Sequence, residues 1–196
     1  MGKTIKQNAK EYDVTVGIQS ADSFREHAHF FISKIPNDMN KAHIYAANDF
    51  GGLITSATNM AFAIELYLKI LRALTGKNIP DSHHLWELFK KLPQEIKTHI
   101  QDNYNKQNPV DGNDVAALEV MIAPSNQSPP NRTEPRKEPS LKNILITSSN
   151  TFQTWRYMYE IMEHKVHKPI CYEYMRLDLI AHLVRSTCIQ LSNKTQ

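Results

Sequence analysis

The sequence predicts an all-α protein, and three observations predict it. Apolar residues recur at three- and four-residue spacings through most of the chain. Proline and glycine fall between those stretches rather than within them. The composition, 41% hydrophobic and 22% charged over 196 residues, gives a core large enough to stand without disulfides or metals.

The elements follow in order. Residues 1–19 are weakly patterned and read as an N-terminal arm; the alternation of Val14, Val16 and Ile18 allows a short strand there. Helical periodicity begins near Asp22, with Phe24, Ala28, Phe31 and Ile35 on one face, and Pro36 ends it. Met39, Ala42, Ala46 and Phe50 suggest a second helix. The clearest helix spans about Thr55 to Leu74, with a stripe of Ala57, Ala61, Ile64, Leu68 and Leu71 and a Glu65–Lys69 pair four residues apart. Gly76 suits the left-handed residue that closes a helix, and Asp81 or Ser82 can cap the next. That next helix carries Leu85, Leu88, Phe89 and Leu92. Pro93 then opens another, with Ile96, Ile100 and Tyr104 aligned.

Residues 123–140 are rich in Pro, Ser and Asn and nearly free of apolar side chains, the composition of a flexible insertion rather than a domain boundary. A long helix is expected from Leu141 to His164 and a last one from about Cys171 to Leu191, separated by Pro169. Residues 20–196 thus read as one helical domain.

Net charge is +3, which permits a nucleic-acid partner without requiring one. Two cysteines do not make a disulfide framework, and the polar N-terminus lacks the apolar core of a signal peptide, so a cytoplasmic setting is expected. No stretch approaches the roughly 20 apolar residues of a membrane span. His164 and His167 lack a third metal ligand at a standard spacing, and neither a metal nor a cofactor is expected. His83 and His84 should pack or cap locally, serving nearby backbone groups.

Ala63, Glu65, Leu66, Leu68 and Lys69, followed after a loop by His83 and Leu85, resemble the A-x-E-L-x-L-K helix and His-x-Leu start of the HEPN family. The aromatic stretch Trp155, Arg156, Tyr157, Tyr159 and Glu160 is similar to one in some HEPN-like members. The resemblance covers roughly residues 50–105 and 141–190. It implies a HEPN-like bundle of four to five core helices, here with extra N-terminal helices, that usually pairs as a homodimer. It also implies a role in bacterial conflict, toxin or antiviral defence systems, either as a metal-independent endoribonuclease or as an inactive binding or scaffold protein for a nucleic acid or protein partner.

Catalytic HEPN proteins carry an Arg and, after four to six residues, a His near the start of the last helix. Arg176 and His182 match that spacing and position, with Leu177 where a polar residue often follows the Arg and Val184 where some members have Tyr. The resemblance gives Arg176 the phosphate and His182 the proton transfer or the orientation of the 2′-hydroxyl. At about 100° per residue, Leu177, Ala181, Val184, Cys188 and Leu191 form one apolar stripe. Tyr172, Met175, Leu179 and Leu183 form a second, flanked by Arg176 and His182 about 120° apart. That second stripe is either a dimer seam or one side of a central core helix. Arg156, Tyr157 and Glu160 are candidate substrate contacts; Arg156 and Glu160 also suit an intrahelical ion pair. A third possibility, a bundle that binds a small molecule, would be marked by an apolar pocket with convergent polar groups.

Overall fold

The structure, a computed structural model, describes residues 4–7, 10–33, 47–107, 118–122, 139–149 and 168–194. These residues are mainly helical, as the periodicity predicts. Six helices occur among them: α1 Val14–Ile32, α2 Ala47–Leu74, α3 Leu85–Lys90, α4 Gln94–Gln107, α5 Leu141–Ser149 and α6 Tyr174–Lys194. Two short antiparallel strand pairs accompany them. Strands β1 (Thr4–Gln7) and β2 (Lys10–Asp13) pair with Ile5 opposite Tyr12, and β3 (Leu118–Ile122) pairs with β4 (Lys168–Tyr172) with Val120 opposite Ile170.

Helix α1 begins earlier than the sequence suggests, and Val14, Val16 and Ile18 are helical rather than extended. Asp13 is the reason: its extended backbone and its carboxylate, which accepts from Val16 N at 3.1 Å, form an N-cap. Val14, Ala21 and Ala28, seven residues apart, turn inward. The helix stops at Ile32, ahead of Pro36. Small residues let α1 lie close along α2. A Cβ on Gly17 would stand 3.0 Å from Ile70 Cδ1, and the buried Ser56 hydroxyl donates to the Ala28 carbonyl at 2.9 Å. The expected Phe24 contact lies at the rim instead, where its ring meets Phe62 at 5.6 Å between centroids.

Helix α2 is central, packing against α1, α3 and α6. Its apolar surface is therefore wider than one stripe: Leu53, Ala57, Met60, Ala63, Ile64, Tyr67, Leu68 and Leu71 are all buried. The expected stripe of α4 is seen in the buried Ile96, Ile100 and Tyr104, and that of α6 in Leu177, Ala181, Val184 and Cys188. Cys171 and Tyr172, expected in the last helix, belong to β4.

At the end of α2 the chain reverses through Gly76, at φ +67°. Gly76 N donates to Ala73 O at 2.9 Å and Lys77 N to Arg72 O at 3.3 Å, the two bonds of a Schellman ending. Helix α3 starts at Leu85, after His84; the Ser82 hydroxyl accepts from His84 N at 3.2 Å rather than capping the first turn. The long helix expected to His164 is described as far as Ser149. Its remainder, the segment Met39 to Ala46 and most of the Pro-rich insertion lie outside the described residues.

Candidate functional site

Arg176 and His182 sit on the same helix but in opposite surroundings. Arg176, two residues into α6, is only 7% exposed. Its Nη1 donates to Glu173 Oε2 at 2.8 Å, and Glu173 is itself 4% exposed. The attraction within such a pair offsets part of the cost of withdrawing both charges from water. His182 is exposed and makes no hydrogen bond among the described residues. Six residues of helix place the two about 120° apart around the axis and about 9 Å apart along it.

The second stripe of α6 is largely covered by the chain itself. Tyr172 is 2% exposed, and its hydroxyl lies 3.0 Å from the Ser56 hydroxyl, so burial pushes its pKa up. Leu183 is buried, whereas Met175 and Leu179 are partly buried. Arg156, Tyr157 and Glu160 lie outside the described residues.

Beside His182 runs a polar seam that the sequence reading missed. Helices α1 and α6 cross antiparallel, joined at two levels. Asp22 accepts from Arg185 Nε at 2.6 Å and Nη2 at 2.8 Å, and from the Tyr67 hydroxyl. Asp178 accepts from Arg25 Nε at 2.5 Å and lies 2.8 Å from His29 Nε2. Burial alone would raise both carboxyls. The hydrogen bonds and positive charges around them outweigh it, lowering Asp22 and holding Asp178 at about 2. Its signal in the sequence is the charges spaced three, four and seven residues apart on α1 and α6.

A cleft of about 310 Å³ lies between α2, the start of α3 and the end of α5. Thr58, Ala61, Phe62 and Glu65 line it from α2, His83 and Leu85 from the entry to α3, and Ser148 and Ser149 from α5. The helix ending at Gly76 builds it. The chain folds back along α2, pinned where Arg72 Nε donates to Asn78 O at 2.8 Å, and so brings His83 to Glu65. His83 Nδ1 stands 2.9 Å from Glu65 Oε1, and Lys69 Nζ donates to the same oxygen at 2.8 Å. His83 thus serves a carboxylate rather than the expected backbone groups, while the neighbouring His84 Nδ1 is buried without a partner among the described residues.

In the neutral ring an acceptor-only carboxylate places the His83 proton on Nδ1 and leaves Nε2 as an acceptor, on a side chain that is 77% exposed. Glu65 Oε2 receives no donor among the described residues. The cleft thus combines an anionic acceptor, an oriented imidazole and hydroxyls with the apolar walls of Ala61, Phe62 and Leu85. The Glu65–Lys69 pair is the one that their four-residue spacing predicts; the contact of His83 with it depends on the path of the loop.

Among the described residues no cluster of three or more His, Cys, Asp and Glu side chains gathers to hold a metal, and no helix is long and apolar enough to cross a membrane. No protein-family model, curated protein or solved structure matches the chain.

Proposed function

We propose that this chain is a HEPN-like helical module that acts by binding RNA, not by cutting it through Arg176 and His182. The observation that carries this reading is the engagement of Arg176. A guanidinium that stabilises a reacting phosphate must reach it, and this one is buried against Glu173. Recruiting it for catalysis would expose Glu173 to the loss of a partner in a nearly dry setting.

RNA is the partner favoured by the resemblance to HEPN proteins and by the basic balance of the chain, +3 overall. His182 and Lys194 of α6 are both exposed. The test is fluorescence anisotropy with labelled single-stranded and hairpin RNAs at two salt concentrations. Binding that weakens as salt rises is the expected result; no binding by any strand at low salt would overturn the RNA reading.

The endoribonuclease reading rests on one favourable observation, the exposure of His182 on the helix that the resemblance selects. It requires Arg176 to leave Glu173, or another cation to take its place at a dimer seam.

A further inference from the structure

We infer that the cleft between α2, α3 and α5 is a binding site for a neutral, planar heterocycle bearing N–H donors, the chemistry of an amino-substituted nucleobase. The inference stands on the cleft alone and does not require RNA to be the partner.

Size sets the first limit. At about 310 Å³ the cleft lies at the small end of ligand pockets, suited to a ring-sized group. Shape and lining set the second. Phe62 and Leu85 offer apolar surface against which a flat ring can lie. Hydrogen-bonding capacity sets the third. Glu65 Oε2 is an acceptor without a donor among the described residues, and His83 Nε2 is a second acceptor while the ring is neutral. An acceptor-rich cleft selects a ligand that donates.

Charge decides between the remaining classes. A phosphate or carboxylate would meet the Glu65 carboxylate and be repelled. A full cation, such as an ammonium or amidinium, would meet Lys69 Nζ, which is already 2.8 Å from Glu65 Oε1. A neutral N–H donor gains the hydrogen bond to a charged acceptor without either repulsion. Carboxylates accept from the exocyclic amine of a base in the same way in nucleic-acid recognition. The ring can come from a free nucleoside or from one unstacked base of a strand.

The test is a titration of the isotopically labelled full chain, followed by amide resonances of Phe62, Glu65 and Ser149. The probes are adenosine, N6,N6-dimethyladenosine, benzamidine and a short oligoadenylate. Adenosine should shift the cleft resonances with an affinity in the range of about 1 mM, and the dimethyl compound, which has lost its exocyclic donors, should bind at least about tenfold more weakly. Benzamidine should also be weaker than adenosine. Ala61→Trp, which fills the cleft, should abolish the shifts; the site-resolved response of the wild-type chain decides the matter if that variant does not fold. Shifts with the oligoadenylate but not adenosine would support the site with a strand as its source. Shifts with adenosine and no RNA binding would keep the site and remove the RNA reading. No cleft response to adenosine or oligoadenylate, equal binding of the dimethyl compound, or tighter binding of benzamidine would overturn the inference.

Discussion

Arg176 Nη1 lies 2.8 Å from Glu173 Oε2, and both side chains are almost wholly withdrawn from solvent at the start of α6. This contact makes the arginine part of the fold. Breaking a buried ion pair by removing one partner costs roughly 3–5 kcal/mol, whereas an exposed surface substitution stays within about 0.5 kcal/mol. Arg176→Ala should therefore lower unfolding free energy in urea by about 3 kcal/mol, and His182→Ala should leave it nearly unchanged. Equal, small effects would mean that Arg176 is not held as described.

The α1–α6 seam gives a pH signature. Asp178 is held at about 2, below its ordinary 3.8, by His29 and Arg25 against the opposing effect of burial. A depressed carboxyl adds stability above its unfolded pKa and loses it as pH falls through the folded one. The contribution, about 1–2 kcal/mol after allowing for partial exposure, should be present above about pH 4 and vanish near pH 2. Urea unfolding of the wild type and Asp178→Asn across that range should show the gap closing as pH falls. A gap that stays constant would remove the assigned role.

Gly76 closes α2 at φ +67°, a region that side-chain-bearing residues occupy only with strain. No atom beyond Gly76 and its two chain neighbours lies within 4 Å of a Cβ built there, so the cost of a substitution is conformational and not steric. Gly76→Ala should destabilise the chain by about 1 kcal/mol. Because this turn sets the path of the loop carrying His83, it should also weaken any ligand bound in the cleft. An unchanged midpoint in urea would show that the turn adopts another conformation.

Much of the helical framework was legible in the sequence because helices announce themselves locally. The stripe from Leu177 to Cys188, the row Ile96, Ile100 and Tyr104, and the ending at Gly76 all depend on spacing within one segment. The misses share a different cause. Asp13 caps α1 through a single side chain, which a short alternating run of Val14, Val16 and Ile18 obscured. The pairing of β3 with β4 joins residues some fifty positions apart, and nothing local marks it. The Glu65–His83 contact and the Asp22–Arg185 bridge are likewise long-range, so their residues could be named but not joined. The spacing of Arg176 to His182 points to a catalytic pair, whereas Glu173, three residues before Arg176, is the stronger physical clue.

Cys188 provides an independent check on the core. Its side chain is fully buried, its thiol donates to Tyr67 O at 3.4 Å, and burial pushes its pKa up. In a Cys171→Ser background an aromatic disulfide reagent should leave the folded chain unlabelled and react fully after denaturation. Rapid labelling of the folded chain would contradict the packing of α6 on α2.

The most direct measurement is RNA cleavage in EDTA by the wild type beside His182→Ala, the variant that should not disturb the fold. The expected result is no cleavage by either protein, with RNA retained by both. Cleavage by the wild type that disappears in His182→Ala would contradict the binding reading and return the Arg176–His182 pair to the centre of the protein's activity.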